Sequence, residues 1–470
     1  MKSLKTFLIW GIVVLVGVAS FTTLAISRGE QVSAVWMVTA AVSVYCIAYR
    51  FYSLYIAKYV MQLDPNRLTP AERHNDGLDY VPTHKGVLFG HHFAAIAGAG
   101  PLVGPVLAAQ MGYLPGTLWI IFGVVFAGAV QDMMVLFVSM RRDGKSLGDI
   151  VKQELGTVPG VIASIGILMI MVIIMAVLAL IVVKALVHSP WGTFTIAATM
   201  PIALFMGIYT RYIRPGKIGE ISIVGFILLM LAVIYGDNVA HSSIGHWFDL
   251  DGIQLTWAIM IYGFVASVLP VWLLLTPRDY LSTFLKIGTI VALAIGILIV
   301  SPALQMPAVT HFIDGSGPVF SGALFPFLFI TIACGAVSGF HALISSGTTP
   351  KMLENETHVR MIGYGGMIME SFVAIMALAA ASSLDPGVYF AMNSPAALIG
   401  TDANTAAEVI TTKLQFPVDA ATLLHTAKEV GENTILSRAG GAPTLAVGMA
   451  HIMSRLIPGE AMMAFWYHFA

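Results

Sequence analysis

Five ionisable side chains stand inside stretches that are otherwise apolar: Asp132, Glu370, His91, His92 and His341. A carboxyl group held out of water is costly, and functional by default. Glu370 lies near the middle of its apolar run, and Asp132 sits beside Gln131 closer to the end of its own. Proton exchange is the chemistry two such carboxyls offer. A histidine titrates near physiological pH, so it can shuttle a proton or hold an anion. Neighbouring helical residues point about 100° apart, so His91 and His92 cannot face one cavity and make a poor metal pair. His341 shares a helical face with Ser338 and Ser345. The structural alternative is carboxylates paired to neighbouring donors and a satisfied histidine in a tight helix interface. Lys184 and Lys286 read as residues near span ends that snorkel outward, and Arg278–Asp279 as a pair at a span end. Cys46 and Cys334, the two cysteines, both lie in apolar runs and imply neither a disulfide framework nor a thiolate metal site. No phosphate-binding loop, dinucleotide fingerprint or metalloprotease motif occurs. The expectation is therefore no catalytic residue, no metal and no cofactor, with any transport driven by a proton or sodium gradient.

The element that must position these groups is FGHHFAAIAGAGPLVGPVLAAQMGYLPG, Phe89 to Gly116. Gly98, Gly100 and Gly104 alternate there with Pro101 and Pro105 inside a run long enough to cross a bilayer. Proline removes a backbone donor and clashes with the preceding turn, so the segment cannot be one uninterrupted helix. Broken backbone at membrane depth survives only when buried in protein or lining a polar cavity, and transporters bind substrate and ions at such breaks. A kinked packing helix with glycines for close approach is the plainer reading.

Composition sets the class. Hydrophobic residues make up 57% of the 470 and charged residues 10%, against about 25% charged in soluble domains. The net charge of −1 carries no signal for nucleic acid. The fold expected is all-α and polytopic, with about 12 to 13 membrane helices. Spans fall near 6–27, 31–54, 89–110, 116–139, 158–187, 192–212, 218–236, 256–276, 282–303, 322–346, 361–384 and 441–458, and a further one starts at 459–470 and stops short. With the N-terminus in the cytoplasm, 19 of the 24 lysines and arginines fall on the cytoplasmic side, as the positive-inside rule requires.

The chain divides into two N-terminal helices (1–54), a cytoplasmic loop (55–88), five spans over 89–236 and five over 256–458. The second set includes an extracytoplasmic segment, 385–440, with short helices expected over Thr401–Lys413 and Ala420–Val430. Five is odd, so the second set enters from the opposite side, as an inverted repeat requires. Its first span, 256–276, carries Gly263 and Pro270 and is expected to break as 89–110 does.

The motifs RHNDGLDYVPT (Arg73–Thr83), Phe89–Gly116 above, AGAVQDMMVLFVSMRRDGKSLG (Ala127–Gly148), PVWLLLTPRDYLSTFLKIG (Pro270–Gly288), ITIACGAVSGFHALISSGTTPK (Ile330–Lys351) and SRAGGAPTLAVGMA (Ser437–Ala450) resemble the bacterial carbon starvation protein A (CstA) family over the whole chain. The resemblance implies an inner-membrane transporter linked to peptide uptake under starvation, with pyruvate:proton symporters as near relations. It also implies the five-plus-five repeat of amino acid/polyamine/organocation carriers and further spans after Phe465–Ala470 in typical members. The expected partners are a small carboxylate or peptide and the lipid bilayer, with the oligomeric state open. Substrate contacts are assigned to His91, His92, Gly98, Gly100, Pro101, Gly104, Ser338, His341 and Ser345, and proton coupling to Glu370, Asp132 and His341. A channel, or a nutrient sensor with a separate signalling partner, would use the same groups differently.

Overall fold

The computed structural model describes residues 31–470 except 78, 215–216, 271–272, 439, 458 and 460–461, together with Val16 and Ser20. The expected first span, 6–27, therefore lies almost wholly outside the described residues. Apolar runs become helices because a backbone withdrawn from water must satisfy its own hydrogen bonds. Among the described residues the sheet-like features are two isolated bridges, Ser33 with Ala303 and Thr83 with Leu353.

Seven described helices are long and apolar enough to cross a membrane, and a bent pair makes an eighth. In chain order they are α1 (Ala34–Val60), the bent pair α2 (Lys85–Ile96) and α3 (Gly100–Met111), α4 (Tyr113–Arg141), α5 (Thr157–Leu186), α6 (Pro190–Ile213), α7 (Gly219–Ala240), α9 (Pro277–Val300) and α11 (Arg360–Ser382). Three shorter helices matter below: α8 (Gly252–Val268), α10 (Gly339–Ser345) and α12 (Ala442–Ser454). The protein is an all-α, multi-pass membrane protein. At 13 residues α12 is shorter than the roughly 20 that a perpendicular crossing needs.

The hub is α11, whose residues from Val373 to Ser382 are all buried. It packs against α1, α2, α3, α4 and α12. At the periphery, α5 buries only Gly160 and Val183 and turns a wide apolar surface outward. A helix hydrophobic all round, with no protein partner on most sides, is one that faces lipid.

The break in the Phe89–Gly116 stretch is present: α2 stops at Ile96, α3 starts at Gly100, and the two are bent by 46°. Pro101 stands in the first turn of α3, where its missing N–H costs nothing. Gly104 is where the broken span meets the rest of the protein. A Cβ added there would overlap the Thr331 carbonyl oxygen.

The 256–276 span is interrupted at one of the two residues expected to break it. α8 runs unbroken through Gly263, where one glycine costs a helix only about 1 kcal/mol, but it ends at Val268 and the next helix starts at Leu275, so Pro270 lies in the gap. A further interruption was not expected: the chain also unwinds between Phe329 and Ser345. Short helices Phe329–Thr331 and Ala333–Ala336 are followed by extended residues Val337 and Ser338, then by α10. No proline forces this. It is held by α4, where a Cβ at Gly128 would overlap the Ala336 carbonyl oxygen and the Gln131 amide donates to the Ser338 carbonyl.

The 385–440 segment also sits deeper than expected at its start. Its first helix, Pro386–Asn393, is buried from Gly387 onward. The Tyr389 hydroxyl donates to the Val106 and Leu107 carbonyls near the end of α3, at 2.8 and 3.0 Å. Two later helices, Ala403–Thr412 and Ala420–Glu429, follow the sequence reading to within two residues at either end. Asp402 and Asp419 cap them. Hydrogen bonds from Thr405 and Asn404 hold the Asp402 carboxyl below the usual carboxylate range.

Candidate functional site

Three elements far apart in sequence converge beside the first break. α4 brings Asp132, α10 brings His341 and α11 brings Glu370, and all three side chains are fully buried. His341 lies between the two carboxyls. Its Nδ1 is 2.8 Å from Asp132 Oδ2, and its Nε2 is 2.9 Å from Glu370 Oε2. The second contact is out of line for a hydrogen bond, leaving Glu370 Oε2 without a partner among the described residues, as is Asp132 Oδ1.

Proton accounting follows from these contacts. A nitrogen lone pair and a carboxylate oxygen under 3 Å apart repel, so the His341–Asp132 hydrogen bond needs one proton, and the out-of-line Nε2···Oε2 contact needs one carried on either atom. A neutral imidazole supplies one N–H and an imidazolium two. Two protons are thus shared by three groups, either as imidazolium with two carboxylates or as imidazole with one protonated carboxyl. Both arrangements carry one net negative charge. In a low-dielectric interior that charge interacts with its surroundings at several kcal/mol over 4 Å.

Cys334 completes the cluster. Its Sγ donates to Glu370 Oε1 at 3.3 Å and lies 3.9 Å from His341 Nε2 and 3.7 Å from Ser338 Oγ. It also links the cluster to the broken span, since a Cβ on Gly100 would come within 2.5 Å of the thiol sulfur. The sequence reading placed this cysteine in an apolar run and assigned it no part in the site. Its signal was the spacing Cys334, Ser338, His341, one helical face at i, i+4 and i+7.

The remaining candidates separate. His92 is buried, with Nδ1 2.9 Å from Thr349 Oγ1 and Nε2 without a partner among the described residues. His91 turns the other way, its Nδ1 3.5 Å from Asp279 Oδ2 on α9. Asp279, read as part of a span-end pair with Arg278, therefore faces inward. Gly98 borders open space, while Pro101 and Gly104 are buried in packing. Ser338 precedes α10 rather than sitting on it, and the Ser345 hydroxyl on α10 is buried without a partner among the described residues.

Lys286 corrects the snorkelling expectation. Its ammonium points inward from α9 and donates to the Ala94 carbonyl at 2.9 Å. In an intact helix that carbonyl would accept from residue 98. Here the Gly98 N–H turns to Ile96 instead, so the break orphans the Ala94 oxygen and Lys286 satisfies it. One turn earlier, Thr283 Oγ1 donates to the Gly90 carbonyl at 3.0 Å. The position seemed terminal only because the span was drawn to begin at 282.

A cavity of about 850 Å³ opens on the face that carries Arg211 and Lys351, lined also by Thr83, Tyr280, Ser346 and Thr348. Its walls come from segments before and after the breaks at Ala97–Ala99 and Val337–Ser338 in the chain. On the opposite face the Gln110 side chain is held by the loop after α9, donating to the Phe320 carbonyl and accepting from the Val319 N–H.

The family described as Carbon starvation protein CstA matches residues 33–470. The chain is 65% identical to a protein named Peptide transporter CstA from Escherichia coli (strain K12), over 99% of this chain and 67% of that protein. It is 59% identical to the Pyruvate/proton symporter BtsT of the same strain, over 98% of this chain and 67% of that protein. A Peptide transporter CstA from Bacillus subtilis (strain 168) is 45% identical over 93% of this chain and 70% of its own length. These relatives are longer, and the chain spans about two thirds of them. No solved structure matches. The chain belongs to the carbon starvation protein CstA family.

Proposed function

We propose that this CstA-family chain is the membrane body of a secondary transporter that imports short peptides or pyruvate across a bacterial inner membrane, coupled to protons, in the response to carbon starvation. The observation that carries this reading is the broken span at Ala97–Ala99 beside the buried Asp132–His341–Glu370 cluster. The relatives named for peptide transport and for pyruvate/proton symport support both the substrate classes and the coupling ion. A transporter rather than an enzyme is also what those names favour.

In this reading the start of α3 receives the substrate carboxylate at the Ala99 and Gly100 N–H groups, since Pro101 has no N–H and those of Leu102 and Val103 bond the Ala99 carbonyl. The cluster stores the coupling proton. Removing a proton from one N···O contact sets two lone pairs face to face, and the strain is relieved by parting α10 from α4 or α11. With the N-terminus in the cytoplasm, the 850 Å³ cavity faces the cytoplasm and the Gln110 seal faces outward, an arrangement suited to substrate release.

The test is uptake of labelled pyruvate and of labelled dipeptides into proteoliposomes, with pH and sodium gradients imposed separately. Saturable uptake driven by the pH gradient, with counterflow, supports the reading. Non-saturable flux without counterflow would mean a channel.

A further inference from the structure

We propose that Cys334, His341 and Glu370 form a binding site for a zinc-class divalent cation. The three side chains offer one thiol sulfur, one imidazole nitrogen and one carboxylate, with donor atoms all within 4.8 Å of one another. The separations are 3.9 Å from sulfur to Nε2, 3.3 Å from sulfur to Oε1 and 2.9 Å from Nε2 to Oε2. A tetrahedral ion with bonds of about 2.0–2.3 Å spaces its ligands about 3.3–3.7 Å apart. The two carboxyl distances belong to different oxygens, so closing on an ion takes a turn of the Glu370 carboxyl together with small shifts of the thiol and the ring.

Two further features are those of a metal centre. Asp132 Oδ2 sits 2.8 Å from the far ring nitrogen of His341, the outer carboxylate that fixes the tautomer of a metal-binding histidine and raises its basicity. Glu370 Oε2, fully buried and without a hydrogen-bond partner among the described residues, is a carboxyl oxygen aimed into the site. Sulfur with imidazole selects zinc or cadmium over magnesium or calcium. Ser338 Oγ, 3.7 Å from the thiol sulfur, stands near the fourth position.

The ligands come from three separate elements: the short helix Ala333–Ala336, α10 and α11. An ion bound there ties them together and takes the place of the proton between His341 and Glu370. On the functional reading above, it therefore inhibits transport. The binding itself stands on the geometry alone.

The probe is Cd²⁺, titrated into the purified chain in detergent and followed by equilibrium dialysis and by sulfur-to-cadmium charge-transfer absorption. The expected result is one Cd²⁺ per chain with that absorption, retained in C46S and lost in both C334S and C334A. Asp132→Asn should weaken binding about 10- to 100-fold and Glu370→Gln by at least as much. Unfolding temperatures of the metal-free variants identify any that have failed to fold, and C334A serves if C334S is among them. Absence of the thiolate absorption in the folded wild type, or its persistence in folded C334S, overturns the proposal. In proteoliposomes Zn²⁺ should cut wild-type uptake and spare the residual uptake of C334A. If uptake proves not to be proton-coupled while Cd²⁺ binds as stated, the site stands and only the functional reading falls.

Discussion

Glu370→Gln tests the coupling reading most directly, because it changes charge and proton count while keeping shape. Glutamine still presents an oxygen to His341 Nε2–H, so the cluster can close. Its amide cannot release a proton, and the net charge of the cluster goes from −1 to zero. Replacing a charge-assisted contact by a neutral one should cost about 1 kcal/mol of stability, too little to unfold the protein. The functional effect is larger. One pH unit is worth about 1.4 kcal/mol per proton, a tenfold ratio. With one proton moved per substrate, a unit gradient should let wild-type vesicles concentrate substrate about tenfold. The variant should equilibrate at a ratio of about one while still exchanging internal for external substrate, since exchange needs no net proton movement. The assay is pH-driven accumulation and counterflow in the same proteoliposomes. Wild-type accumulation by E370Q would refute the assignment of the proton to this cluster.

Three other outcomes are expected. Gly104→Ala forces a methyl onto the Thr331 carbonyl and should cost about 1–3 kcal/mol by overpacking, read as a lower unfolding temperature in detergent; an unchanged temperature would mean the two broken spans are not packed this closely. Lys286→Met strands the Ala94 carbonyl at a cost of about 1–3 kcal/mol, and faster amide exchange at Ala97–Gly100 should mark the loosened break, whereas wild-type exchange there would remove Lys286 from any role in holding it. The Asp402 cap has a folded-state pKa below its unfolded value, so its contribution is complete above the unfolded value near 4 and is lost as pH falls through the folded value; hydrogen exchange in Ala403–Thr412 should rise in that acidic window, and Asp402→Ala should show the faster rate at every pH.

How much of this was legible before folding depends on the range of the interactions involved. The membrane class and the break near Gly98–Pro101 could be read directly, because composition and proline's missing donor act locally wherever the chain goes. The helices after Asp402 and Asp419 were equally plain, since a cap and an amphipathic pattern lie within one short segment. The break at Val337–Ser338 carried no such mark. It is enforced from outside, by Gly128 and Gln131 pressing on Ala336 and Ser338 some two hundred residues away, whereas Pro270 marks the gap after α8 and Gly263 leaves that helix intact. Asp132, His341 and Glu370 could each be singled out as an isolated polar group in an apolar run. That they share protons, with Cys334 among them and Lys286 covering the carbonyl the break leaves bare, was decided by packing: carboxyl and imidazole partners 29 to 209 positions apart meet only when the helices assemble, and no local preference records which faces will touch.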